Sequence, residues 1–206
     1  MEAMQDQKLE NAMEDPSIPT DSTMPSQVKE EQWITVFSEK FVAQPHSQTD
    51  SSSQSDDSNN EKKVNLTGKW LLFTDIELED EEKGMTPHDM AWQFVKELVE
   101  EGEIYAAKCS TAWEGQYPTR DGRVSGVICC YTKDYTDKKD VKRVADAIRR
   151  VYSYPENMFY KTDEDTLAKK YRHLGNQCVS IDKHTVDNEM YERDLVIRNQ
   201  WNIINV

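Results

Sequence analysis

Long apolar runs are missing from this chain of 206 residues. No stretch approaches the roughly 18 residues that a membrane-crossing helix needs. The opening "MEAMQDQKLENAMEDPSIP" has no apolar centre of the kind a secretory signal carries. The expectation is a protein with no membrane association, placed in the cytoplasm and/or nucleus. Cysteine is sparse: Cys109, Cys129, Cys130 and Cys178 form no C-x-x-C pair. A zinc site is therefore not expected, and reduced, buried thiols are. With seven glycines there is no phosphate-cradling loop and no G-x-S-x-G elbow. His88, His173 and His184 lack metal-ligand spacing, and no spacing supports Cys109 or Cys178 beside His173 as nucleophile and base. The expectation is a non-enzyme without metal or cofactor. Positive charge is also scarce, with a net charge of -14. Of this, -8 lies in the first 63 residues, where 13 Asp+Glu face 5 Lys+Arg, and -6 in the remainder. That balance argues against sequence-blind binding to long nucleic acid, which rests on neutralising many phosphates. It leaves room for a local basic site.

Residues 1–30 are polar and acidic, and a segment so poor in apolar surface is expected to be disordered. "QWITVF", within 31–43, alternates β-branched and aromatic residues and reads as an isolated first strand that must join a sheet elsewhere. "QPHSQTDSSSQSDDSNNEKK" (44–63) reads as a flexible polar linker. From 64 to 206 the pattern is that of one folded domain. "KWLLF" is a buried strand, and "DIELEDEEKGM" an acidic loop. A helix follows with Thr86 as N-cap, Pro87 in its first turn, an apolar face of Met90, Ala91, Phe94, Val95, Leu98 and Val99, and Gly102 at its end. "IYAAKCS" and "GVICCYT" read as strands joined by a loop. Thr136 or Asp137 caps a second helix with an apolar face of Val141, Val144, Ala145, Ile148, Val151 and Tyr152. "NMFYK" is a further strand. "LAKKYRHLG" reads as a helical turn or a loop, "QCVSI" as a strand, and "DLVIRNQWNIINV" as a closing helix or strand. The fold class expected is α+β, with helices on one face of a curved, mainly antiparallel sheet. Trp70 and Trp92 belong to the core, and Trp33 to the sheet.

"GKWLLF", "AWQFVKELVEEGEIYAAKCS", "VICCYTKDYTDKKDV", "AIR" and "YKTDEDT" together resemble the basophilic-leukaemia-expressed protein family, and "QWITVF" is similar to that family's upstream strand. The resemblance implies the fold of translation initiation factor 4E, the protein that binds the mRNA cap. A faint second resemblance to the initiation factor itself lies in "GKWLL" before Trp92, and in 104–132 followed by 137–152. In that factor a methylated guanine is stacked between two tryptophans. The stretches here that correspond to those tryptophans, "AQPHSQTDSSSQSDDSNN" and "EKKVNLT", contain no Phe, Tyr or Trp. Cap binding by that sandwich therefore does not carry over.

The resemblance does place basic residues on the long hairpin, where Lys108, Arg120 and Arg123 would hold phosphates and Trp113 and Tyr117 lie in the same loop. The expectation is RNA or nucleotide binding through this 108–123 hairpin. A second basic surface is expected on the helix "KKDVKRVADAIRR", from Lys138, Lys139, Lys142, Arg143, Arg149 and Arg150. The alternative is a protein-interaction adaptor that uses this helical face and the acidic tail.

Overall fold

The structure is a computed structural model that describes residues 23–42, 65–77, 84–113, 125–171, 174–176, 179–197 and 199–206. The tail up to residue 22, the linker 44–63, and the candidate residues Tyr117, Arg120 and Arg123 lie outside the described residues. The elements are β1 Trp33–Phe37, α1 Glu39–Val42, β2 Gly68–Asp75, α2 Pro87–Glu100, β3 Ala106–Ser110, β4 Ser125–Thr132, α3 Lys138–Val151, β5 Met158–Thr162, α4 Asp163–Leu167, β6 Asp182–His184, β7 Met190–Arg193 and β8 Trp201–Ile204.

The strands form one curved sheet in the order β1-β3-β4-β2-β5-β6-β7-β8. Every pairing is antiparallel, so the α+β reading holds. The strand "QWITVF" does join a sheet elsewhere: β1 caps the edge at β3, with Trp33 opposite Ser110 and Val36 opposite Ala107.

Alternation along each strand divides the residues between two faces. Trp70 and Leu72 of β2, Ile128 and Cys130 of β4, Ala107 and Cys109 of β3, and Met158 and Tyr160 of β5 point to α2 and α3 and are essentially unexposed. Trp70 is completely buried and donates its indole N–H to the Val141 carbonyl of α3 at 2.8 Å. Its ring meets Tyr160 edge-on at 5.2 Å and His184 at 6.1 Å. Trp92 is equally interior, at 1% exposed.

The helix starts follow local rules. Thr86 Oγ1 accepts from Asp89 N–H at 3.1 Å, and the Asp89 carboxylate accepts from Thr86 N–H at 3.0 Å. That reciprocal cap satisfies donors the helix cannot. Gly102 follows the last turn of α2 at φ 77°, a backbone region open to glycine. Asp137 caps α3 by accepting from Asp140 N–H at 3.2 Å.

Two expectations need correction, and two open readings are decided. Residues 23–30 are not part of a disordered tail: Ser26 N–H donates to Asp89 Oδ1 at 2.9 Å, Ala112 N–H donates to the Pro25 carbonyl at 3.0 Å, and Pro25 is buried. "QCVSI" is not a strand over Val179–Ile181; the strand lies at Asp182–His184. Before it, the Ser180 carbonyl accepts from Arg193 Nε at 2.6 Å, and only Ile181 bonds across to Tyr160 and Arg193. After Leu167 the described residues of "LAKKYRHLG" are turn and loop, the second of its two readings, and an unforeseen helical turn precedes them at Asp163–Leu167, because Thr162 caps it and Asp163, Glu164 and Asp165 fill its first turn. This short turn lies over the other face, where Thr166 meets Lys69, while the two long helices, α2 and α3, back one face as expected. Of the two readings of the C-terminal stretch, helix or strand, the strand holds, as β8, with β7 as an unforeseen partner.

Gly126 tests this packing. His88 is buried beneath it, with Nε2–H donating to the Ser110 carbonyl at 2.9 Å and Nδ1 accepting the Thr74 hydroxyl at 2.6 Å. A Cβ on Gly126 would lie 2.5 Å from His88 Nδ1. Gly126→Ala is expected to lower unfolding free energy by about 1–3 kcal/mol, the usual range for overpacking, read as a lower urea midpoint with an unchanged slope.

Candidate nucleic-acid interface

The face away from α2 and α3 carries the other half of every strand. Cross-strand register builds one row across it: Thr35, Lys108, Cys129, Leu71, Phe159, Lys183, Tyr191 and Ile203, from β1 to β8. A neighbouring row runs Phe37, Ala106, Tyr131, Lys69 and Lys161. Cations and rings lie side by side at several places on this surface. Lys108 Nζ lies 4.4 Å from the centre of the Trp33 ring. At the far end Lys183 Nζ lies 4.2 Å from the Tyr191 ring, and the Arg193 guanidinium 4.2 Å from Trp201. Phe159 packs against Trp201 at 6.1 Å. Phe37, Phe73 and Ile203 are each about half exposed, whereas Ala106, Cys129, Lys69 and Lys161 in the middle of the face are buried.

Of the candidate hairpin residues, Lys108 is on this face, half-buried. Trp113 stands just beyond the end of β3, half-buried, its N–H donating to Thr111 Oγ1 at 3.3 Å. The structure brings Lys108 to Trp33 rather than to Trp113. Among the described residues no carboxylate pairs with Lys108.

The helical basic surface has a different character. Lys138 binds Asp182 at 2.7 Å and Glu192 at 3.3 Å. Lys142 binds Asp146 at 2.7 Å, Arg143 binds Asp140 at 2.7 Å and the Glu103 carbonyl at 2.7 Å, and Arg150 binds Glu103 at 2.5 Å. Arg149 donates to the carbonyls of Tyr154, Glu156 and His184. Lys139 is exposed, and with Lys142, Arg143 and Arg150 it borders an open groove of about 630 Å³ beside Glu103. These cations are close in space, but the charge of Lys138, Lys142, Arg143 and Arg150 is answered by acids, some on α3 itself and some from elsewhere in the chain.

The groups that could do covalent chemistry are muted. Burial pushes the Cys129 thiol up to about 11 and raises Cys109 and Cys130 as well. All three are free thiols. His173 and Cys178 lie outside the described residues. Among the described residues no group of three metal-ligating side chains occurs, and no helix is long and apolar enough to cross a membrane.

The row of outward residues was missed in the sequence although its signal is there. In "GKWLLF" and "MFYK" the lysines sit one residue out of phase with Trp70 and Tyr160, as period-two strands require.

This is an α+β protein built on one antiparallel sheet, its two long helices on one face and a surface that sets several cations beside aromatic rings on the other. It belongs to the family described as basophilic leukemia-expressed protein Bles03, whose profile matches residues 22–167. Among solved structures it is similar to C. elegans eIF4E-3 in complex with the 4E-binding protein Mextli and cap analog. That match has 18% identity over 50% of this chain and 54% of that one, with a TM-score of 0.37. A second complex of C. elegans eIF4E-3 with Mextli matches at 15% identity over 49% of this chain and 55% of that one, with a TM-score of 0.35. The chain thus spans about half the length of these solved proteins.

The two buried histidines give a pH prediction. His184 Nδ1 accepts from Arg149 Nε at 3.1 Å, so its Nε2–H donates to Asp146 at 2.9 Å. Burial holds the pKa of both His184 and His88 below the usual value; the Asp146 hydrogen bond and the Ser110 carbonyl oppose this only in part. Each imidazole is therefore neutral when folded and charges more readily when unfolded. Stability is expected to be full above about pH 7 and to fall as pH drops through about 6.5, by at most about 1.4 kcal/mol per pH unit for each histidine. Urea midpoints at pH 7.5 and about pH 6 would check this, and His88→Gln should flatten the slope.

Proposed function

We propose that this chain is a non-enzymatic binding protein that takes single-stranded RNA or a nucleotide on the open face of its sheet, at the Lys108 end. The observation that carries this reading is the Lys108–Trp33 pair. It sets a cation without a carboxylate partner, among the described residues, against an aromatic plane on a solvent-facing sheet. Phosphate needs such a cation, and bases stack on such planes whatever their sequence. Trp113, Tyr117, Arg120 and Arg123, on the segment that follows, would extend the contact. The α3 cations support it less, because a phosphate would first have to displace Asp182, Asp146, Asp140 or Glu103.

A second reading, a protein-interaction adaptor, is favoured by a different feature. Leu195 and Val196, in the turn between β7 and β8, are 93% and 92% exposed. Two neighbouring apolar side chains held in water suit a protein partner.

Titration with a short single-stranded RNA, followed by intrinsic tryptophan fluorescence, separates the two. Lys108→Gln is expected to weaken RNA binding by about tenfold, the size of one charge-assisted contact. It should also reduce the slope of log K against log salt by about 0.7. Lys139→Gln should do neither. RNA affinity that is untouched by Lys108→Gln, or lost equally with Lys139→Gln, would overturn the sheet-face site. RNA binding absent altogether would leave the adaptor reading.

A further inference from the structure

Lys69 and Lys161 sit directly opposite each other on β2 and β5, on the open face, and are 5% and 4% exposed. Like charges in opposed positions repel, and a buried ammonium needs partners. Burial and the neighbouring Lys69 both push the Lys161 pKa down.

The partners come from the segment Asp163–Tyr171, which leaves β5 at Thr162 and turns back over the face. Lys69 donates to the Asp163 carboxylate and, at 3.0 Å, to Thr166 Oγ1. Lys161 donates to the Lys170 carbonyl at 2.6 Å and lies 3.8 Å from the Tyr171 ring centre.

At its far end the Tyr171 carbonyl accepts from the Leu174 and Asn176 N–H groups at 3.1 and 3.2 Å. No residue of α4 is buried, Leu167 is 74% exposed, and Lys169 takes a positive φ of 53°. Its backbone is fixed at its first residue to the residue before β2, where Asp163 N–H donates to the Thr67 carbonyl at 2.9 Å. An ion pair within it joins Asp165 to Lys170 at 2.6 Å.

What it offers the two lysines is an anionic oxygen, neutral oxygen acceptors and an aromatic ring. An RNA strand carries the same three. Lys69 and Lys161 also lie one step along the strands from Leu71 and Phe159, between Lys108 and Lys183. With the segment lifted, the cations from β3 to β6 would form one continuous field.

We propose that Asp163–Tyr171 is a built-in competitor for the RNA backbone: it fills the Lys69–Lys161 site, and single-stranded RNA binds there by displacing it. This rests on the sheet-face reading above. The RNA takes the place of the Asp163 carboxylate and the Lys170 carbonyl, while the segment stays tethered at Asp163.

The test compares Asp163→Asn with Glu164→Gln in the full chain. Each removes one negative charge from neighbouring positions, but only Asp163 binds Lys69. With an oligouridine of about twelve nucleotides, Asp163→Asn is expected to tighten binding about tenfold and Glu164→Gln by less than about twofold. Adding Lys69→Gln to Asp163→Asn should cancel the gain. In the unaltered protein, saturating RNA should speed hydrogen exchange at Ala168, Lys169 and Lys170, whose amides bond to Glu164, Thr166 and Asp165. That measurement decides the matter if Asp163→Asn fails to fold. Equal gains in the two variants, or unchanged protection with RNA bound, would overturn the proposal. Binding that Lys108→Gln weakens but Asp163→Asn does not strengthen would overturn the competitor and leave the sheet-face site standing. If neither the unaltered protein nor Asp163→Asn binds the RNA, both fall.

Discussion

The hydrogen bond from the Trp70 indole to the Val141 carbonyl, 2.8 Å long and wholly buried, ties the central strand to the helix that covers it. A tryptophan in an apolar core brings the largest side chain available but also one N–H that must find an acceptor. Here the acceptor lies on α3, so the ring's position sets the helix's height and rotation over the sheet. Tyr160 and His184 then pack edge-on against the same ring. With Trp70 fixed inward, Lys69 has to point outward, because a one-residue slip of β2 would exchange the two faces. The chemistry of the open face is thus dictated by the packing of the closed one.

The protein holds two sets of cations under different physical conditions. On α3 they meet carboxylates in hydrogen-bonded pairs, which satisfies their charge and leaves a nearly neutral surface on an acidic protein. Towards the two ends of the sheet Lys108 and Lys183 meet aromatic rings, which attract a cation through the ring quadrupole without cancelling its charge. A ring partner keeps an ammonium in place while leaving it able to attract an anion. This contrast, rather than the number of lysines, distinguishes a ligand-facing surface from a solvated one.

Much of the scaffold was legible because its signals are local. Thr86 and Pro87 announce α2, Gly102 ends it, Asp137 opens α3, and the alternation in "QWITVF" marks β1. Distant partners were not legible. Nothing near Lys138 in sequence points to Asp182 or Glu192, and nothing near Arg150 points to Glu103, so the helix read as a basic surface when its charge is mostly balanced. Helix α4 was missed because its signal, three acids after Thr162, lies in a stretch with no apolar periodicity. Strand β7, "MYER", is too short to show its period. The candidate site was half legible: Lys108 was found by resemblance, whereas Trp33, its partner, was read simply as a sheet residue. The pairing depends on β1 docking beside β3, which no local pattern reveals.

The two ends of the open face differ in how far apart in the chain their parts lie. Lys183, Tyr191 and Trp201 come from β6, β7 and β8, successive strands that form by closing short loops. Trp33 and Lys108 come from β1 and β3, with the linker, β2 and α2 between them. Closing a longer loop carries a larger entropy penalty, and pairings remote in sequence lower folding rates. The C-terminal end of the face can therefore assemble as a local meander. The N-terminal end depends on β3 and β4 already offering an edge for β1 to join.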